Sequence, residues 1–424
     1  MTPAPAEGRN VVVVVIDTLR ADHLPFYGYS KDTAPFLSTL AERAVVFDSA
    51  YATSTWTAPS TASLFTSLYP KDHGVKTGLR TLHSVADLGI PVELNRIPPK
   101  AETLPEWMAG WGYRTYAFAD NPNLDAPMGF ARGFDHFSTG INRGANVVRD
   151  EVLAARDELV EGKRPFFLYL HFMDPHMPYV QQADGYDLED TIARPGYQED
   201  MACYDSEIRH VDTVLAELWK ALDLDHNSLV VIAADHGEEF GDHGRGAHGA
   251  QLYNELLHVP LLIQGTDKDG APLFPAQRVP EPVSLLDVLP TLRGLLGAPP
   301  AATDSGFDLS GRLAGSAPAR ERLLFPERTM ELEIFPFEVR AVIDGDFKYY
   351  TDTREEQPSL YQMALDPTES KDLASTDPER TARLAAALAA HLAEPALFER
   401  SYTAPKALGN ELHGELEKLG YGGE

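Results

Sequence analysis

Three apolar runs along the chain lack the polar alternation of a half-exposed strand. They cover residues 10–17 (NVVVVVID), 165–174 (PFFLYLHFMD) and 228–237 (SLVVIAADHG). Continuous apolar strands are typical of a parallel sheet that is covered on both faces. Each run ends in acidic or imidazole side chains, and ligands bind beyond the carboxyl ends of strands in open α/β sheets. The three endings therefore predict one shared site.

Helical spacing of apolar residues separates these runs. Strands that alternate with helices favour an α/β fold with a mostly parallel central sheet and helices on both faces. The predicted helices lie at residues 34–44, 60–69, 101–112, 147–162 and 201–222.

The pattern changes towards the carboxyl end. Segments rich in Pro, Gly and Ala occur near residues 297–306 and 314–321. Beyond them, residues 338–352 alternate like a hairpin and residues 376–392 have the pattern of a capped helix. We therefore predict a catalytic domain over residues 1–315, a small α+β subdomain over residues 316–395 and a tail over residues 396–424.

Composition narrows the classes of function. With 43% apolar and 24% charged residues among 424, the chain has the composition of a folded enzyme,. A formal charge of −28 repels nucleic acid at long range, so we expect no nucleic-acid partner. A small anionic ester remains an acceptable substrate, because a bound divalent cation dominates the local field.

The chain has one cysteine, Cys203, which excludes an internal disulfide and a cysteine-based metal cluster. The first residues lack the pattern of a signal peptide, and no apolar run is long enough to span a membrane. We therefore expect a cytoplasmic protein without a membrane span. The sequence leaves the oligomeric state open.

Three features could carry chemistry. They are Asp17 after the first apolar run, the hydroxyl-rich segment 53–75, and the adjacent pair Asp235 and His236. Two carboxylates and an imidazole suit zinc or manganese better than calcium. A Thr or Ser at a helix amino terminus would complete the set and gain acidity from the metal and the helix dipole. Singly, each feature is more often a cap or turn residue; together they favour a metal site.

Six segments and a carboxyl-terminal stretch resemble, in order, the sulfatase branch of the alkaline phosphatase superfamily. This resemblance implies a three-layer sandwich of the alkaline phosphatase type and a hydrolase or transferase activity on esters. The segments are residues 17–29, 57–74, 171–179, 235–244, 248–263, 283–297 and 345–373.

The chain departs from true sulfatases at the nucleophile. Those enzymes carry Cys or Ser followed by x-Pro-x-Arg, and they convert the first residue to formylglycine. Here the positions are Thr57, Pro59 and Thr61. Threonine cannot yield that aldehyde because its β-carbon carries a methyl group. Only Thr57 stands two residues before the proline, so we predict it as the nucleophile over its neighbouring hydroxyl residues Ser54, Thr55 and Ser60.

The calcium-binding pairs of sulfatases, Asp-Asp and Asp-Asn, depart as well, because they appear here as Asp17-Thr18 and Asp235-His236. An Asp, a Thr and an Asp-His pair resemble the site of the phosphorus-transferring relatives. This resemblance implies that Asp17, Thr57, Asp235 and His236 hold one zinc or manganese ion. Thr57 would attack phosphorus to give a phosphothreonine, which water or another alcohol then releases.

The same resemblance implies three further site residues. His176 and His248 would bind the ester oxygens or protonate the leaving group. Asn121 takes the place of a family lysine, which suggests an amide hydrogen bond to the ester. A second ion could be held by Asp174 with His176 and His248, although their spacing differs from that of two-metal relatives. The resemblance assigns no role to His171.

The leading hypothesis is a metal-dependent hydrolase of phosphodiesters or phosphonate monoesters. The alternative is a transferase of phosphoryl-linked headgroups, but the transferases that resemble this chain are anchored by membrane spans that it lacks. Further alternatives are a sulfuric ester hydrolase and a catalytically inactive binding protein of the sulfatase type. Retention of the four metal-site residues together argues against an inactive protein.

Overall fold

The computed structural model describes residues 8–78, 93–180, 196–318, 320–329 and 337–404. Its strands are β1 Asn10–Ile16, β2 Val45–Phe47, β3 Ala50–Tyr51, β4 Asn95–Arg96, β5 Arg114–Ala119, β6 His136–Ser138, β7 Phe166–Phe172, β8 Ser228–Ala233, β9 Glu239–Phe240, β10 Gly246–Ala247, β11 His258–Val259, β12 Leu261–Gly265, β13 Gln277–Val279, β14 Val283–Ser284, β15 Leu323–Leu324, β16 Glu327–Thr329, β17 Glu338–Asp344, β18 Phe347–Asp352, β19 Ser359–Gln362 and β20 Ser401–Tyr402.

The helices include several of only one turn. They are α1 Pro35–Ala41, α2 Thr57–Thr66, α3 Pro70–His73, α4 Leu104–Gly110, α5 Ala145–Ala154, α6 Arg156–Glu161, α7 Gln198–Ala221, α8 Asn254–Leu257, α9 Val288–Leu295, α10 Ser310–Leu313 and α11 Pro378–Ala393.

An eight-stranded mixed sheet forms the centre of the fold, in the order β13-β2-β12-β8-β1-β7-β5-β6. The three apolar runs are neighbours in it, since β1 lies between β7 and β8 and pairs with both in parallel. This confirms the predicted mostly parallel sheet with helices on both sides. β12 is the exception, because it pairs antiparallel with both β8 and β2.

All five predicted helices are present with somewhat different bounds, and two of the differences change the description of the fold. The predicted helix over residues 147–162 is two helices, α5 and α6, which meet at Ala155. The helix predicted from residue 60 begins at Thr57 instead. Pro59 lies in its first turn, where a helix needs no backbone donor, so the proline does not delay its start. The early start places Thr57 at the amino end of α2.

A second sheet, formed by β15 to β19, lies in the carboxyl-terminal part, and α11 packs near it. Both the predicted hairpin and the predicted capped helix are confirmed: β17 pairs antiparallel with β18, and the Asp377 side chain accepts from the amide of Arg380 at the start of α11. Five buried side chains form its own small apolar cluster: Val342, Tyr349, Leu360, Leu384 and Leu388. The domain limits at residues 315 and 395 stay predictions.

A buried ion pair connects this second sheet to the rest of the chain. Lys348 Nζ lies 2.8 Å from Glu369 Oε1, and both side chains are fully buried. The same ammonium group donates to the carbonyl oxygen of Leu252, 3.0 Å away, in the segment that follows the predicted site loop.

We expect Lys348→Met to lower the free energy of unfolding by about 3–5 kcal/mol, because it leaves the Glu369 carboxylate buried without its cation. Urea unfolding followed by circular dichroism measures this change. Lys371→Met, which alters an exposed lysine close to Glu369, is the matched control and should change stability little. A loss below about 1 kcal/mol in Lys348→Met would contradict the role given to this pair.

Within the described ranges, no helix combines the length and apolar character needed to cross a membrane. Cys203 is a buried free thiol in α7.

Candidate active site

The carboxyl ends of β1, β7, β8 and β5 bring the site residues to one edge of the central sheet. Val15 is in register with His171 on one side and with Ala233 on the other, so the three strands end level with one another. Asp17 and Asp235 therefore follow their strands at the same edge. Two residues after β5, Asn121 reaches the same place.

Thr57 is the first residue of α2 and is buried beside Asp17. Its Oγ1 lies 3.4 Å from Asp17 Oδ2. The N-cap residue of α2, Trp56, makes no side-chain hydrogen bond to the first turn, and backbone amides at a helix start can bind an anion. Two of the neighbouring hydroxyl groups are already used: Ser60 Oγ donates to the carbonyl of Asp235, and Thr55 Oγ1 donates to that of Gln251.

Three buried atoms converge beside Thr57 without a hydrogen-bond partner among the described residues: Asp17 Oδ1, Asp235 Oδ2 and His236 Nε2. His236 Nε2 lies 3.5 Å from each of the two carboxylate oxygens. His236 Nδ1 is 2.9 Å from the carbonyl of Gly237, which fixes the hydrogen on Nδ1 and leaves the Nε2 lone pair facing the carboxylates. Two carboxylates and an imidazole are donor types that zinc and manganese accept.

The pKa values of the two carboxylates, Asp17 and Asp235, are shifted in opposite directions. Burial alone would raise the pKa of Asp17, but the hydrogen bond from His171 and the charge of His236 hold it below its ordinary range. Burial, followed by the charge of Asp17, raises the pKa of Asp235 to about 7. Facing carboxylates repel each other in this way. A divalent cation between the two carboxylates would offset their repulsion. Such a cation would also give a partner to the buried oxygens that lack a hydrogen bond in the described residues.

The second oxygen of Asp17 has a different set of neighbours. Asp17 Oδ2 accepts from Asn121 Nδ2 and lies 3.1 Å from His171 Nε2. Asn121 Nδ2 is also 3.3 Å from Thr57 Oγ1. The structure thus places Asn121 beside Thr57, the predicted nucleophile, and its contact with an ester stays a prediction. Sequence reasoning left His171 without a role, although an imidazole inside an apolar strand was a visible signal.

His176 and His248 lie together on another side of the site. Their ring centroids are 4.9 Å apart, and those of His248 and His236 are 4.6 Å apart. His248 Nδ1 is 3.0 Å from Glu238 Oε1. Glu238 is fully buried, and burial raises its pKa to about 7 despite the nearby charges of His176 and His236. Sequence reasoning missed Glu238, which stands only two residues after His236.

Burial, and then His248, lower the pKa of His176. Its Nδ1 is 2.7 Å from the carbonyl of Met177. A neutral ring would donate its Nδ1 hydrogen to that carbonyl, which leaves Nε2 as the atom able to bind or exchange a proton.

The residues predicted to hold a second ion are Asp174, His176 and His248, and their ligand atoms do not form a compact group. In the described part of the chain, one group of three metal-binding side chains has ligand atoms within 4.8 Å of one another, namely Asp17, His171 and Asp235. Asp174 with His176 and His248 forms no second group of that kind. One ion is therefore the better fit to this geometry.

Comparison with known proteins shows which proteins this chain resembles. A family model described as Sulfatase matches residues 9–298. The delta 4,5-hexuronate-2-O-sulfatase of Bacteroides thetaiotaomicron is 24% identical, covering 89% of this chain and 87% of that protein. Arylsulfatase A of Homo sapiens is 25% identical, covering 87% and 84%. The phosphonate monoester hydrolase of Agrobacterium radiobacter has a similar structure, with a TM-score of 0.70 at 20% identity, covering 91% and 95%.

Proposed function

Because this chain belongs to the sulfatase family, we propose that it is a metal-dependent ester hydrolase that acts on phosphodiesters or phosphonate monoesters. One observation carries the choice of phosphorus over sulfur. The residue beside the metal-binding carboxylates is Thr57, whose Oγ1 is 3.4 Å from Asp17 Oδ2, and a threonine cannot become formylglycine. Structures similar to this fold include both a sulfatase and a phosphonate monoester hydrolase, so the fold is compatible with either ester and the choice rests on Thr57.

Asp17, Asp235, His236 and the Thr57 hydroxyl would hold the ion. When bound, a divalent ion supplies positive charge that favours ionisation of the hydroxyl and offsets negative charge on the ester. The amino end of α2, where Trp56 makes no side-chain cap hydrogen bond, would add amide donors for the ester oxygens. Asn121 Nδ2, 3.3 Å from Thr57 Oγ1, holds the nucleophile in place.

Thr57 Oγ1 would bond to phosphorus while the bond from phosphorus to the leaving oxygen breaks, giving a phosphothreonine. The leaving oxygen takes up a proton, for which His176 and His248 are the candidates, since the ring of His248 lies 4.6 Å from that of His236 and 4.9 Å from that of His176. Water then bonds to phosphorus, the bond to Oγ1 breaks, and the Thr57 hydroxyl is restored.

A panel of matched aryl esters tests this function. It contains a phosphate monoester, a phosphate diester, a phosphonate monoester and a sulfate monoester of one phenol, each assayed with Zn²⁺ and with Mn²⁺. We expect the diester or the phosphonate to give the highest kcat/KM. Highest turnover of the sulfate would contradict the proposal and favour sulfuric ester hydrolysis instead. Added alcohols that divert the phosphoryl product would identify a transferase, and absence of turnover on all four would favour a binding protein.

Substitution of His176 tests proton transfer to the leaving group. We expect His176→Ala to slow esters of weakly acidic alcohols about 10²-fold or more, and nitrophenyl esters far less, because a good leaving group needs no proton. The ratio of kcat/KM for the two ester classes measures the effect. His243→Ala serves as a control, since His243 Nδ1 is bonded to Glu255 Oε1. Equal losses for both classes would assign His176 to substrate binding.

A further inference from the structure

His171 is a buried imidazole in an otherwise apolar strand. It lies one residue before the end of β7, where it is in register with Val15 of β1 and with Ala119 of β5. The side chain has no exposed surface. A polar ring in such a place is costly unless both of its nitrogens have partners.

Both nitrogens do have partners. His171 Nδ1 is 3.0 Å from the hydroxyl of Tyr169, and Nε2 is 3.1 Å from Asp17 Oδ2. Side chains two residues apart lie on the same face of a strand, which is why Tyr169 and His171 meet. Because the ionised Asp17 carboxylate can only accept, the hydrogen on His171 Nε2 donates to it, and a neutral ring then leaves Nδ1 to accept the hydrogen of the Tyr169 hydroxyl,.

The two oxygens of Asp17 therefore have separate tasks. Oδ2 accepts hydrogen bonds from His171 Nε2, Asn121 Nδ2 and Thr57 Oγ1, whereas Oδ1 is buried without a hydrogen-bond partner in the described residues and lies 3.5 Å from His236 Nε2. An oxygen that already accepts three hydrogen bonds is a poor second ligand. Asp17 is thus prepared to offer a single oxygen to an ion.

We infer that His171 is a positioning residue that, oriented by Tyr169, holds Asp17 in one-oxygen coordination and so favours zinc over calcium at this site. Calcium takes six to eight oxygen ligands and often binds both oxygens of a carboxylate, whereas zinc takes about four ligands of mixed type. Hydrogen bonding by groups behind the ligands orients them and affects metal affinity. This inference rests on the metal site of the proposed function, but not on the choice of ester.

The rival role for His171 is direct coordination, because it belongs to the group of three whose ligand atoms lie within 4.8 Å of one another. The two roles require different groups at position 171. Positioning requires a hydrogen-bond donor to Asp17, whereas coordination requires a nitrogen lone pair. A donor to Asp17 can be replaced by the amide of glutamine, whereas a nitrogen ligand cannot.

Metal binding tests the inference without any substrate. The full chain is freed of metal with a chelator and is then titrated with Zn²⁺ and with Ca²⁺ by calorimetry. We expect His171→Phe to weaken zinc binding about 10- to 100-fold and to change calcium binding less, so that the preference for zinc falls. His171→Gln should retain most of the zinc affinity. Tyr169→Phe should give a smaller loss in the same direction, because the ring hydrogen is no longer assigned to Nε2.

His23→Gln is the matched control, since it alters another buried histidine paired with an aspartate, His23 Nδ1 being 2.7 Å from Asp205 Oδ1. It should leave both metal affinities unchanged, whatever it does to thermal stability. Unchanged zinc affinity in His171→Phe overturns the inference, and so do equal losses for both ions. A loss in His171→Gln as large as that in His171→Phe overturns it in favour of direct coordination. Should His171→Phe not fold, Tyr169→Phe decides, and unchanged affinities there count against the inference.

Discussion

Asp235→Ala and His236→Ala are each expected to lose most of the bound metal and most of the turnover while keeping the fold. Each change removes one of the four proposed protein ligands, and the three that remain should bind a transition metal much less tightly at neutral pH. The residues follow the end of β8 instead of packing inside the sheet, so the core loses little. Elemental analysis of purified protein measures metal content, kcat/KM measures turnover, and circular dichroism reports the fold.

His258→Ala provides the control for these variants, because His258 Nε2 is bonded to the carbonyl of Asp48 and faces no ligand. It should keep full metal content. Full occupancy in either Asp235→Ala or His236→Ala would refute the ligand assignment. Loss of metal with retained turnover would instead show that the reaction does not need the ion, and this would contradict the proposed mechanism.

The strands that precede the proposed metal ligands, Asp17 and Asp235, are predictable from their composition. Continuous apolar runs predict buried parallel strands, and parallel strands end at one edge of a sheet, so the amino-acid pattern alone predicts that Asp17 and Asp235 lie together. The family resemblance then supplies Thr57 as a candidate. The structure adds that α2 begins at Thr57 itself, which brings the hydroxyl to the edge where β1 and β8 end.

The neighbours of those ligands are not predictable in the same way. His171 is separated from Asp17 by more than 150 positions, and their contact depends on β7 lying next to β1. Apolar runs predict that strands exist but contain little information on strand order. The reversed direction of β12 was missed for the same reason. Glu238 was missed because its burial depends on how the loop after β8 folds back towards His248.

Replacement of Thr57 is expected to have the largest effect on turnover. Thr57→Ala should lower kcat by about three orders of magnitude or more, because it removes a covalent step and not a single hydrogen bond. Thr57→Ser should keep a measurable part, since it retains the hydroxyl. Thr66→Ala is a suitable control on the same helix, where Thr66 Oγ1 donates to the carbonyl of Ala62. Comparable activity of Thr57→Ala and wild type would show that Thr57 is not the nucleophile.

The intermediate itself can be sought by mass spectrometry after rapid quenching with a phosphodiester substrate. If breakdown is slow, one added phosphoryl group should lie on the peptide that contains Thr57, and a label on Ser54, Thr55 or Ser60 would identify another nucleophile. Thr57→Cys sharpens the test, because it restores the sulfatase residue while position 61 remains threonine. Without the arginine of the maturation motif, this variant should gain no sulfatase activity even when it is produced beside a formylglycine-generating enzyme. Sulfate ester turnover by Thr57→Cys would mean that the remaining pocket is built for sulfate after all, and that Thr57 alone separates this chain from its sulfatase relatives.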